Sequence, residues 1–172
     1  AIGEPKDSLD IMIGQMIQIG ITDFGDASVR NELRNLIKTG KVGGVILFEK
    51  NLQKEDTKVA LKKMIEELQK EANIPLFIAI DEEGGYVNRL KPKYGFPKTV
   101  SAAYLGAMDD LDSTKFYSTQ TAQTLSSLGF NINYAPSVDV AINPNNPVIV
   151  KNKRSYSKAV SYTHLRAHET LL

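Results

Sequence analysis

The sequence of 172 residues has no cysteine, which excludes disulfides and thiolate metal sites. No apolar run approaches the ~20 residues that a helix needs to cross a bilayer, and no signal segment is recognisable. Neither sign of charge dominates: 21 Lys and Arg stand against 20 Asp and Glu, a net +1. No basic patch marks a nucleic-acid surface. Lys62-Lys63 and Lys91-Pro92-Lys93 are too short for one and read as solvated lysines. Internal repeats and low-complexity segments are also missing. The only histidines are His164 and His168. Their spacing invites a metal-ligand reading on one helical face. It is rejected, because Leu165 stands where an HExxH site needs Glu and no third ligand follows. What remains is 42% hydrophobic and 24% charged, enough for a globular core and against disorder. The start at Ala1 rather than Met fits a processed or trimmed end, and the compartment stays open.

Apolar runs and helical periodicity alternate along the chain. Met16–Ile21 reads as a first strand. Asp26 or Ser28 then caps a helix with Val29, Leu33, Leu36 and Ile37 on one face, stopped by Gly40. Gly43–Phe48 reads as a second strand, and 54–71 as a helix with Leu61, Met64, Ile65 and Leu68 on one face. Pro75 precedes a third strand, Leu76–Ile80, whose five apolar residues predict burial on both faces. After a long connection Ser113 is expected to cap a helix running to Leu128, with Gly129 as its stop. Asn131–Ala135 is a fourth, more polar strand closed by Pro136. The order β-α-β-α-β-α-β calls for an α/β fold with parallel strands and helical crossovers. The long connections leave strands three and four, at the end where (β/α)8 barrels keep their sites.

Residues with chemical capacity lie on those connections. Asp81 follows the third strand and can accept hydrogen bonds from two adjacent hydroxyls, the arrangement of a sugar diol. Gly84-Gly85 removes side-chain bulk. Arg89, eight residues on, can return with five fixed donors. The alternative is a turn capped by Asp81 and permitted by the glycines, with Arg89 in a surface ion pair; spacing leaves the two even. Glu82 and Glu83 complete a row of three carboxylates. Consecutive side chains point in different directions, so a glycosidase pair converging on one bond is not expected. One binds, and the others serve structure, for example by pairing with Lys or Arg. Asp139 precedes the stiff, turn-rich Asn143-Pro144-Asn145-Asn146-Pro147 and reads more readily as a turn residue. Arg154, taken alone, reads as a surface charge.

The run Ile80-Asp81-Glu82-Glu83-Gly84-Gly85-Tyr86-Val87-Asn88-Arg89-Leu90 resembles the D-x-E-G-G-x-V-x-R signature of family 3 glycoside hydrolases, in the β-N-acetylhexosaminidase branch. Gly43–Phe48, Phe96-Pro97, Leu128–Val140, Asn146–Ile149 and Arg154–Ser157 match further family segments in the same order, so the resemblance covers about residues 9 to 157. It implies a (β/α)8 barrel and removal of terminal β-linked N-acetylglucosamine, from peptidoglycan fragments or chitooligosaccharides. It implies a retaining double displacement in which an Asp attacks the anomeric carbon, with a His held by an Asp as proton donor. Carried over residue by residue, Asp81 holds sugar hydroxyls, and Arg89 and Arg154 complete the ring around the substrate. The partner implied is a carbohydrate, with no cofactor, metal or nucleic acid.

Neither the nucleophile nor the donor has a counterpart in the matching stretch, so no catalytic residue is assigned. The expectation is the first half of a barrel over residues 1–157, about four βα units, C-terminally truncated, inactive alone. Beyond Ser157 the match stops. The tail of 158–172, ending Ser161-Tyr162-Thr163-His164-Leu165-Arg166-Ala167-His168-Glu169-Thr170-Leu171-Leu172, looks like translated sequencing-adapter read-through and is set apart from the fold. Other readings are a β-glucosidase or broader exo-glycosidase of the same family, and a non-catalytic carbohydrate-binding barrel.

Overall fold

Helical periodicity becomes helix where it is strongest. In this computed structural model, which describes residues 8–159, the described chain forms α1 (Ser8–Gln15), β1 (Gln18–Gly20), α2 (Ala27–Lys38), β2 (Gly44–Leu47), α3 (Thr57–Glu71), β3 (Phe77–Ile80), α4 (Ala102–Met108), α5 (Leu111–Leu128) and β4 (Ile132–Asn133). The described residues divide into two compact units, one of 8–80 with 125–133 and the other of 81–124 with 134–159.

In the first unit, Asp26 caps α2 by accepting the amide of Ser28 at 2.7 Å, as Asp does at a helix start. Leu33 and Ile37, one turn apart, are its buried residues. The helix ends in the paired bonds of a Schellman motif, Gly40 N–H to Ile37 O and Lys41 N–H to Leu36 O. On α3, Leu61, Met64, Ile65 and Leu68 are all buried, the face expected from their spacing.

The four strands are parallel and lie in the order β1-β2-β3-β4. Parallel neighbours joined through helices are βα units. Strands that follow one another without a reversal of order wind as in a (β/α)8 barrel, whereas a doubly wound sheet reverses. Asn131 fastens the last pair: its Nδ2 donates to Leu76 O at 2.8 Å and its Oδ1 accepts the Ile78 amide at 2.7 Å.

Several expectations are corrected. A short helix, α1, precedes β1. β3 is not buried on both faces throughout: Ile78 and Ile80 are sealed, but Phe77 is 54% exposed. In the second unit, α5 begins before Ser113, because Asp110 accepts the amides of Asp112 and Ser113 together with the Ser113 hydroxyl. That hydroxyl first, and the Ser113 amide next, hold the Asp110 carboxyl below its usual range. The connection between β3 and α5 also contains a whole helix, α4, capped by Ser101, whose Oγ accepts the Tyr104 amide at 3.2 Å. Its signal was a capping serine before Ala102 and Leu105, both buried.

Candidate functional site

The second unit carries every site residue expected from the sequence. Asp81 follows Ile80, the last residue of β3. The chain then turns tightly: the amides of Glu83 and Gly84 both donate to Val87 O, at 3.0 and 3.1 Å. Gly84 and Gly85 have φ of +85° and +63°, where a Cβ is strained. A Cβ on Gly85 would also stand 2.6 Å from that of Ser101. This turn is what makes eight residues of separation short in space. Arg89 comes back to Asp81, with Nη2 3.1 Å from Oδ2, both side chains about a quarter exposed.

The other two carboxylates have separate duties. Glu82 is 3% exposed. Its Oε2 accepts the amides of Arg89 at 2.8 Å and Leu90 at 3.0 Å, which fixes the returning limb of the loop. Burial pushes its carboxyl above the usual Glu value, and the two amides and the Arg89 charge only partly offset this. Glu83 reaches across 71 residues of sequence to Arg154. Arg154 Nε lies 2.9 and 3.2 Å from the two Glu83 oxygens, and Nη2 lies 2.7 Å from Oε1. This is the fork-to-fork geometry that suits a guanidinium. The Glu83 side chain is 7% exposed and that of Arg154 24%.

Arg154 is delivered by a loop that the sequence marks with asparagine and proline. Asn146 Oδ1 accepts the amides of Val148 and Ile149, each at 2.9 Å. Lys153 sits in the left-handed region at φ +54°, and the Arg154 amide closes back on Ile149 O at 2.9 Å. The first turn of α4 holds the same loop, through the Ala103 amide on Lys153 O at 3.1 Å. The guanidinium is held more firmly protonated than usual, by the Glu83 hydrogen bonds first, against some desolvation, and then by the charges of Glu83, Asp139 and Asp81. Asp81, Arg89, Arg154 and Asp139 thus form one electrostatic neighbourhood. Asp139 itself is exposed and accepts from the Ser137 hydroxyl at 3.2 Å.

Of the sequence expectations, the return of Arg89 to Asp81 and the pairing of a neighbouring glutamate with an arginine both occur. Arg154 is not the surface charge it resembles in isolation. The specific partner of Arg154 and the amide-accepting role of Glu82 were not foreseen. Among the described residues no three His, Asp or Glu cluster as a metal site would require, and no helix is long and apolar enough to cross a membrane. His164 and His168 lie outside the described residues.

Parallel strands in sequence order, with acids and arginines on the loops that leave them, place the chain in the (β/α)8 barrel class of fold, which keeps its sites on such loops. Within that class the chain belongs to glycosyl hydrolase family 3: the profile of the family's N-terminal domain matches residues 8–171. Beta-hexosaminidase A of Pseudoalteromonas piscicida is 41% identical over 133 residues, which cover 74% of this chain and 22% of that protein. A beta-hexosaminidase of Alkalilimnicola ehrlichii is 29% identical over 141 residues, 78% of this chain and 38% of the relative. A solved glycoside hydrolase family 3 beta-N-acetylglucosaminidase from Paenibacillus sp. str. FPU-7 superposes with a TM-score of 0.79 at 35% identity, covering 91% of this chain and 29% of that one. The chain spans about a fifth to two fifths of the length of these curated relatives. The resemblance carried by the Ile80–Leu90 motif, and the α/β barrel winding it implied, are both borne out.

Proposed function

We propose that the protein is a retaining exo-β-N-acetylhexosaminidase that removes terminal β-linked N-acetylglucosamine, and that Asp81, Arg89 and Arg154 bind its sugar. The observation that carries this reading is the Asp81–Arg89 pair at 3.1 Å, on the loop with the family motif. A carboxylate accepts from two vicinal hydroxyls, and guanidinium groups donate to hydroxyl and ring oxygens. A ring of both kinds grips a pyranose from its edge and presents the anomeric carbon in a fixed orientation. The beta-hexosaminidase and beta-N-acetylglucosaminidase relatives support an acetamido sugar over glucose.

The same proposal gives these residues binding and no bond-breaking role, because neither a nucleophilic Asp nor a donor His is assigned among them. It also divides the chain at residue 157, although the family profile runs on to residue 171, and gives the two histidines beyond that point no part in the site.

Calorimetric titration of the chain with N,N′-diacetylchitobiose tests the assignment. We expect weak binding, on the order of millimolar, reduced about tenfold or more by Asp81→Asn, since a hydrogen bond to a charged group is worth roughly 1.5–3 kcal/mol. Unchanged affinity in that variant removes Asp81 from the site. A chromogenic β-N-acetylglucosaminide should release no product. Turnover in a preparation free of host hexosaminidase would show that reacting groups lie within these residues.

A further inference from the structure

Arg154 has more than one acid near enough to act on it, yet only one grips it. Glu83 takes both Nε and Nη2, while Asp81 and Asp139 act on the guanidinium as charges alone. A guanidinium held by its Nε edge cannot swing, so its remaining donors keep one heading. We propose that Glu83 is a positioning residue: by clamping that edge it aims Arg154 at the saccharide and prevents Arg154 from collapsing onto Asp81, whose carboxylate must stay available to sugar hydroxyls. This rests on the reading of Arg154 as a sugar ligand.

The competition is physical. Asp81 already carries one guanidinium at 3.1 Å. A second, released from Glu83, would be drawn to the same oxygens, because ion-pair attraction grows as separation and exposure fall. The backbone is fixed independently of Glu83: the Arg154 and Lys153 amides close on Ile149 O and Val150 O, and the Ala103 amide holds Lys153 O. Removing the clamp therefore frees the side chain more than the loop. Glu83 is itself placed by the turn, since its amide donates to Val87 O at 3.0 Å, so one short loop sets Asp81, the clamp and Arg89 together.

The test is a double-mutant cycle read by the affinity for N,N′-diacetylchitobiose, with the Nε–H resonance of Arg154 as a second readout. Glu83→Gln is expected to cost about fivefold in affinity when Arg154 is present, within the usual range of coupling between contacting residues, and nothing further when Arg154→Met is already in place. The Nε–H signal should be exchange-protected in the parent chain and lose that protection in Glu83→Gln at an unchanged fold by circular dichroism. If Arg154→Met alone unfolds, Arg154→Lys takes its place, keeping the charge without the fork. Equal losses from Glu83→Gln in both backgrounds indicate a general structural role and overturn the proposal, as does unchanged affinity in Glu83→Gln. If Arg154→Met itself binds as the parent does, Arg154 is no sugar ligand, and the underlying reading of Arg154 fails along with the clamp.

Discussion

Three consecutive carboxylates do three different things, and the difference is set by the backbone turn, not by residue type. Asp81 meets a side chain, Glu82 meets two amides and Glu83 meets a guanidinium from a distant segment. The return of Arg89 was one of two readings that the spacing left even: eight residues with two glycines between them allow a loop to bend back but do not require it. The duties of Glu82 and Glu83 were not legible, because they depend on which way each side chain leaves a left-handed turn. Glu82 gives the cleanest prediction. Removing it leaves two amides without their acceptor, and Glu82→Ala should cost about 2–4 kcal/mol in urea unfolding. Glu82→Gln keeps an acceptor oxygen and discards a buried charge, so it should stay within roughly 1 kcal/mol of the parent at neutral pH. The sign of the pH dependence follows from the raised carboxyl. The folded chain holds that proton more tightly than the unfolded chain does. Stability from this group is greatest below the ordinary Glu value of 4.5 and is lost as pH climbs from there through the raised value. Glu82→Gln should abolish that decline, and parallel pH–stability curves for the two proteins would refute the assignment.

At the level of elements, α2 and α3 were legible because their apolar residues repeat at helical spacing over about two turns. α4 was not, because seven residues barely show a period, and its apolar positions are interleaved with glycine and tyrosine. Yet α4 bears directly on the site. Its first turn supplies the Ala103 amide to Lys153 O, and its middle comes so close to the Arg154 loop that a Cβ on Gly106 would collide with the Tyr156 carbonyl oxygen. Two physical effects therefore oppose each other at this position. Helix propensity alone makes Gly106→Ala stabilising by about 1 kcal/mol. The collision is with backbone, which does not rotate away, and overpacking of this kind costs about 1–3 kcal/mol. The close approach wins, so Gly106→Ala should lower the unfolding midpoint. It should also weaken saccharide binding, by displacing the segment that carries Arg154. A raised midpoint would show that the helix and the loop are free to part.

On the scale of the whole molecule, the sheet has two unlike faces. Strand register aligns Val45 with Ile78 and Leu47 with Ile80, and these four are 0–1% exposed, a sealed face. The opposite face aligns Gly44 with Phe77, and Ile46 with Ala79 and Ile132. Here Ala79 is fully buried, but Phe77 is 54% exposed, and Ile46 and Ile132 are half-buried. In a closed barrel that second face packs in layers against inward side chains from the other strands. This explains why five apolar residues in a row read as a strand buried on both sides: the sequence is suited to a barrel interior, and of the five only Phe77 is left uncovered by these four strands. Among the described strands β1 and β4 each pair on one side only, which leaves two edges open to further pairing. The 172-residue polypeptide made alone should therefore self-associate. Sedimentation velocity should show species that grow with concentration, and Phe77→Lys should weaken the association by about tenfold, the worth of one partly buried aromatic ring. A monomer that stays soluble at high concentration and unfolds in a single cooperative transition would mean that the second face is already satisfied within these residues.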